Sequence, residues 1–313
     1  MTSPRPLLLC TDMDRTVIPN GPQPEHPGAR RSLRAFCADG EVVLVYVTGR
    51  HRQLVEAAVT EFDLPQPDFV ISDVGTRMYA VSGERWDELS LWQDEIAVDW
   101  KGRSHADLQQ LLAGIADLQL QEVTKQSRYK LSYYVPLHCD HEAVIREAQQ
   151  RLQRADVAAA LVWSIDEPAN IGLLDVLPQS ATKLHALLSL QRYLGFADED
   201  VLFAGDSGND MPVLVSKVRS VLVNNASAEI KKSAVKAAQA NGNAASLYLA
   251  EEGCPLAMNG NYSAGVLQGV WHYAPHFREL LATVVAAPDV LAERQPRNGW
   301  SEKARSGEDQ PHG

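Results

Sequence analysis

Apolar residues dominate five short stretches, Leu7–Thr11, Val42–Thr48, Phe69–Ser72, Val201–Gly205 and Ser220–Val223. Such runs, without polar alternation, predict strands buried on both faces. Between them Leu54, Ala58 and Phe62 recur at helical spacing, as do Leu184, Leu187, Leu188 and Leu194, which predicts helices with one apolar side. Strand, helix and strand in series imply an α/β fold with a parallel sheet covered on both faces.

The middle of the chain follows another rule. Tyr129–Val135 alternates like a half-buried strand, His141–Ala155 has a helical pattern, and Leu161–Ile165 reads as a further strand. Residues 81–170 are therefore expected to form an α+β module inserted into a core made of 1–80 and 171–290. The stretches Tyr79–Gly83 and Ile171–Leu174 are the expected linkers, and hinge closure over a ligand held between the two parts is the expected motion. Residues 291–313 are polar and are expected to be a disordered tail.

A length of 313 residues suits about two domains at roughly 150 residues each. The net charge of −11 argues against a nucleic-acid ligand, which needs a basic face. Cys10, Cys37, Cys139 and Cys254 lie far apart, with no Cys-x-x-Cys pair, so neither a zinc site nor a disulfide framework is expected. No apolar run approaches the ~18 residues that cross a bilayer, and no export signal is visible, so the expected location is the cytoplasm, away from membranes.

Chemistry concentrates where strands end. The first runs into Thr11-Asp12-Met13-Asp14-Arg15-Thr16, and two buried carboxylates there cost several kcal/mol unless a cation or donors compensate. The second ends in Val47-Thr48-Gly49-Arg50, where a hydroxyl, a glycine and a following helix suit a phosphate oxygen, although Thr-Gly is also ordinary helix punctuation and Arg50 equally suits a surface ion pair. Lys183 opens a helix after Asp175-Val176-Leu177-Pro178-Gln179; most lysines so placed face water. Gly205-Asp206-Ser207-Gly208-Asn209-Asp210 offers oxygen ligands on a pliable turn, as a hard divalent cation requires. The four segments in this order weigh more than any one alone.

Together these segments resemble the four motifs of the haloacid dehalogenase (HAD) superfamily of phosphatases: Asp12 to Thr16, Thr48, Lys183 and Gly205 to Asp210. Within it the chain is similar to the sucrose-phosphate phosphatase family over most of residues 7–280. The closer likeness is carried by Val47-Thr48-Gly49-Arg50, Ile71-Ser72-Asp73-Val74-Gly75-Thr76, Tyr129 to Tyr134, Asp175 to Gln179, Asn225-Ala226 and Tyr262 to Leu267.

The resemblance implies a Rossmann-like HAD core with an inserted α+β cap of the C2 type, and phosphate-ester hydrolysis assisted by Mg²⁺. It implies Asp12 as nucleophile and Asp14 as general acid and base. Asp12, the Asp14 carbonyl, Asp206 and Asp210 would serve the metal, and Thr48 and Lys183 the phosphate oxygens. Gly49, Arg50, Asn209 and Asn225 are expected beside them. Lys130, next to Tyr129 in the cap, is the residue expected to bind sugar hydroxyls. Sucrose 6-phosphate is the expected substrate, with mannosylfructose phosphate, a mannosylglycerate phosphate and trehalose 6-phosphate as alternatives. A further alternative is a noncatalytic sugar-phosphate binder docked to the glycosyltransferase that makes the substrate, with which association is expected as a possible partnership in any case. Two departures stand out: Arg15 occupies a position usually small or uncharged in the family, and Ser164 to Asn170 lacks a Gly-Lys-rich stretch. Trp86, Trp92 and Trp100 are expected in the core rather than on a ligand.

Overall fold

The computed structural model describes residues 5–166, 169–253 and 256–287. The expected tail at 291–313, Cys254, and Glu167 and Pro168 of the atypical cap stretch lie outside them. The described strands are β1 (Leu7–Thr11), β2 (Val42–Val47), β3 (Phe69–Ser72), β4 (Arg77–Ser82), β5 (Arg85–Glu88), β6 (Gln119–Leu120), β7 (Leu131–Val135), β8 (Ala159–Asp166), β9 (Ile171–Pro178), β10 (Val201–Gly205), β11 (Arg219–Leu222) and β12 (Leu247–Leu249). The helices are α1 (Ala29–Cys37), α2 (Arg52–Glu61), α3 (Ser90–Ala97), α4 (His105–Leu112), α5 (His141–Arg154), α6 (Lys183–Leu194), α7 (Met211–Leu214), α8 (Ala228–Ala240), α9 (Ser263–Tyr273) and α10 (Arg278–Ala286).

The chain folds into two compact units, one made of the residues up to Glu88 with those from Ala186 onward, the other Leu89–His185. In the first, an eight-stranded sheet runs β12-β11-β10-β1-β2-β3-β4-β5. The pairings from β12 to β3 are parallel, and β4 and β5 complete the edge as an antiparallel hairpin. Leu9 stands in register with Leu202 and Leu44. These residues share one core with Leu33 and Phe36 of α1, Val266 and Val270 of α9, and Leu281 of α10. Leu8, Cys10, Val43, Val45 and Phe203, of opposite parity, are fully buried too, which is why the strands read as unbroken apolar runs.

Helix α9 comes close to β11 because Gly265 and Gly269 carry no side chain. A Cβ on Gly269 would lie 2.5 Å from a Val221 methyl, and one on Gly265 would lie 2.4 Å from the Gly260 carbonyl oxygen. In α2 the buried stripe is Val55, Ala58 and Val59. Leu54, expected on that stripe, is exposed, because the helix starts at Arg52 and turns it outward. Among the described residues no helix is long and apolar enough to cross a membrane.

The second unit carries an antiparallel sheet ordered β6-β7-β9-β8, with α4 against β7 and α5 against β8. The His141 ring stacks on Trp163 at 4.5 Å. Trp92 and Trp100 are fully buried, as expected of core residues; Trp86, half-buried in the first unit, packs edge-on against Tyr79. The expected boundaries at 81 and 170 shift. The segment around Gly83, read as a linker, is the turn of the β4–β5 hairpin, with Gly83 at φ 59°. Ile171–Leu174, the other expected linker and assigned to the core, is strand β9, whose Leu174 pairs with both Tyr133 and Trp163. A glycine signals a turn or a strand irregularity as readily as a hinge.

Candidate active site

The connections after β1 divide. The chain goes to β2 on one side and returns as β10 on the other, so the carboxyl ends of β10, β1 and β2 stand side by side at a topological switch point, where open α/β sheets place ligands. Asp12 follows β1, Thr48 follows β2 and Asp206 follows β10. All three are nearly fully buried. The Asp12 N–H continues the ladder to the Ala204 carbonyl at 2.9 Å. The chain then turns sharply, since the Met13 carbonyl receives the N–H groups of Thr16, Val17 and Ile18 at 3.2, 3.0 and 2.9 Å.

Asp14 is held by a guanidinium fork. Arg50 Nε donates to Oδ2 at 2.8 Å and Nη2 to Oδ1 at 2.7 Å, a bidentate pair that fixes both distance and plane. The Asn20 amide adds a donor to Oδ1 at 2.8 Å. The hydrogen bond to Asp14 raises the pKa of Arg50 further above its ordinary value. Arg50 therefore meets a carboxylate rather than open solvent. Thr48 does not cap α2 as the punctuation reading expects: its hydroxyl accepts the Arg50 N–H at 3.2 Å, and extended His51 precedes the helix.

The loop after β10 wraps one carboxylate. Asp210 Oδ2 accepts the N–H groups of Asp206 and Ser207 at 3.1 and 3.2 Å. Gly205 makes this possible, because a Cβ there would lie 2.7 Å from the Asp210 carboxyl carbon. Ligand oxygens of Asp12, Asp206 and Asp210 lie within 4.8 Å of one another. Burial first, and the Asp210 charge second, push the Asp206 pKa up to about 6, against the opposing pull of Arg15. Three clustered, buried carboxylates with one exposed-side cation beside them form an all-oxygen donor set that fits a hard divalent cation.

The remaining expected residues divide. Asn225 braces two loops: its amide donates to the Arg15 carbonyl at 2.6 Å and its oxygen accepts the Tyr262 N–H at 2.8 Å. Asn209 is exposed and accepts from the Ser207 hydroxyl at 2.8 Å. Gly49 is exposed between Thr48 and Arg50. Lys183 is the first residue of α6 and is buried. Lys130 precedes β7 and lies 3.7 Å from Asp175, which also accepts the Ser132 hydroxyl at 2.5 Å. Lys183 and Lys130 both belong to the Leu89–His185 unit.

Sequence reasoning missed two features. Asn20 joins the Asp14 loop to itself, also receiving the Arg15 N–H at 2.9 Å; its one signal is an Asn before a Gly-Pro turn. Asp73 and Val74 both take left-handed backbone conformations, at φ 51° and 61°. For a β-branched residue that costs about 1–3 kcal/mol. The strained turn braces the Thr48 loop, the Asp73 N–H donating to the Arg50 carbonyl at 3.1 Å.

A HAD-like hydrolase of Nitrosococcus oceani is 45% identical over 277 residues, covering 88% of this chain and 74% of its own. The mannosylfructose-phosphate phosphatase of Agrobacterium fabrum is 32% identical over 224 residues, covering 71% of this chain and 85% of its own. The sucrose-phosphatase of Synechocystis sp. PCC6803, solved in complex with sucrose and phosphate, superposes with a TM-score of 0.63 at 26% identity, covering 86% of this chain and 98% of its own. The fold is thus the Rossmann-like HAD type. The family model of sucrose-6F-phosphate phosphohydrolase matches residues 5–274, and the chain belongs to that family of phosphatases.

Proposed function

We propose that the protein is a Mg²⁺-dependent phosphatase acting on a phosphorylated disaccharide, sucrose 6-phosphate in the first instance, through an aspartyl-phosphate on Asp12. The observation that carries this reading is the buried cluster of Asp12, Asp206 and Asp210 within 4.8 Å, beside Thr48 at the end of the adjacent strand. Asp12, Asp206 and Asp210 would hold Mg²⁺, which when bound offsets charge between an anionic nucleophile and an anionic ester.

An Asp12 oxygen attacks phosphorus and the bond from phosphorus to the sugar oxygen breaks, while Asp14 delivers a proton to that oxygen. Water then attacks the phosphorus of the aspartyl-phosphate, Asp14 takes its proton, and the bond to Asp12 breaks, which restores both carboxyl groups. Arg50 holds both Asp14 oxygens, and delivering the first proton requires that pair to loosen. Thr48 and Lys183 bind the non-bridging phosphate oxygens, and Lys130 donates to sugar hydroxyls.

The 32% identity to mannosylfructose-phosphate phosphatase favours a second reading, the same chemistry on mannosylfructose phosphate. Phosphate release from sucrose 6-phosphate, mannosylfructose phosphate, a mannosylglycerate phosphate and trehalose 6-phosphate, with Mg²⁺ present, tests both. The highest kcat/KM is expected on sucrose 6-phosphate; equal or better turnover of another member overturns that assignment, and no turnover of any overturns the activity.

A further inference from the structure

Arg15 is a charged side chain that the mechanism above does not use, yet its position is fixed from several directions. Its backbone takes the left-handed conformation at φ 59°. Its N–H donates to Asn20 at 2.9 Å, and its carbonyl accepts the Asn225 amide at 2.6 Å. The guanidinium reaches Asp206 Oδ2 at 3.2 Å and the Asn225 carbonyl at 3.5 Å, with the side chain 41% exposed. Long cationic side chains at a surface normally keep their freedom. This one is anchored at both backbone groups and aimed at a member of the carboxylate cluster.

We propose that Arg15 is a resident cation of that cluster, a positioning residue that holds Asp206, competes with a divalent cation for it, and prepares the site for a phosphate dianion. The inference rests on the reading of Asp12, Asp206 and Asp210 as the metal site. The charge count gives the reason. With all three carboxylates of the cluster ionised, as metal ligands must be, the site would carry three negative charges, which a divalent cation alone would leave one short of neutral. Arg15 supplies the missing charge, so the loaded site meets an anionic ester without net repulsion. The cost is a weaker grip on the metal before substrate arrives, since a cation already shares Asp206. The two consequences have opposite signs, which separates this role from a merely structural one.

The test uses the full chain and Arg15→Asn, which removes the charge while tolerating the left-handed backbone. Titration calorimetry with Mg²⁺ alone is expected to show binding about tenfold tighter in Arg15→Asn, and inhibition by inorganic phosphate at saturating Mg²⁺ about tenfold weaker, on the order expected for one charge at a partly solvated site. Arg15→Lys, which keeps the charge, is expected to stay within about threefold of the wild type in both. Mg²⁺ binding that is unchanged or weaker in Arg15→Asn overturns the inference, as does an Arg15→Lys protein that behaves like Arg15→Asn. If neither the wild type nor Arg15→Asn binds Mg²⁺, the reading of the metal site falls and the inference with it.

Discussion

Asp206 and Lys130 are both charged groups at sites assigned to the same reaction, but their surroundings differ. Asp206 is 4% exposed and stands among Asp12, Asp210, Arg15 and Thr16, on a loop whose backbone is tied to Asp210. Lys130 lies outside its strand, with an ion pair to Asp175 at 3.7 Å and its side chain 15% exposed. It stands near the face of the four-stranded sheet that carries Ser132, Asp175 and Val162 in register, where Val162 is exposed. The groups proposed for the phosphate chemistry are over-determined by buried neighbours; Lys130, proposed to read the leaving sugar, has a single long ion pair to its side chain. A family can thereby keep one reaction while changing the sugar.

The sharpest way to break this contrast is Asp12→Asn. Phosphate release is expected to fall about 10⁴-fold or more, as for loss of a covalent nucleophile, with the circular dichroism spectrum unchanged because the replacement is isosteric. Retained turnover would place the chemistry elsewhere and remove the reason for treating the two regions differently.

Asp206 offers the next largest effect. Its pKa is raised to about 6 from an ordinary 3.8, so between those values the folded protein binds the extra proton and the unfolded chain does not. Without metal, stability therefore falls as pH rises from about 4 to 6, by up to about 3 kcal/mol from this group. Urea unfolding with a chelator across that range should show the decline in the wild type and a flatter profile in Asp206→Asn; identical slopes would refute the assignment. Mg²⁺ should restore stability above pH ~6, where the carboxylate is free to bind it.

How much of this was legible beforehand follows the same division. The buried strands showed as apolar runs because both sheet faces are covered, and Asp12, Thr48 and Asp206 were legible because each directly follows such a run. The limits of the inserted unit were not: Gly83 and Gly172 punctuate a hairpin and a strand, and one sequence cannot distinguish those from a hinge. The fork from Arg50 to Asp14 joins residues far apart in the chain, so Arg50 read equally as a surface ion pair. Val74 gave no warning of its left-handed backbone, since β-branched residues avoid it.

Two glycines sharpen the contrast in packing. Gly269→Ala would push a methyl to 2.5–2.7 Å from Val221 Cγ1 and Cβ, atoms of the interior strand β11, which is paired on both sides, and overpacking there should cost about 3 kcal/mol. Gly172→Ala meets the Trp163 ring at 2.0 Å, a closer approach on paper. But that ring is half-buried and stacked on His141, and it can swing outward, so the expected cost is about 1 kcal/mol. Denaturant midpoints of the two variants measure the difference; a larger loss for Gly172→Ala would mean that the smaller unit is the more rigidly packed.

The smallest expected effect tests whether Lys130 reads the sugar at all. Lys130→Ala removes one charged donor, and its ion pair with Asp175 is replaced by water while Asp175 keeps the Ser132 hydroxyl. A hydrogen bond from a charged group to a sugar hydroxyl is worth about 1.5 kcal/mol, so KM for the preferred disaccharide phosphate should rise about tenfold with kcat little altered. p-Nitrophenyl phosphate has no sugar hydroxyl to lose, and its kcat/KM should change far less. Equal losses on both substrates would mean that Lys130 supports the fold of its sheet through Asp175, and would move the reading of the sugar to other residues on that face.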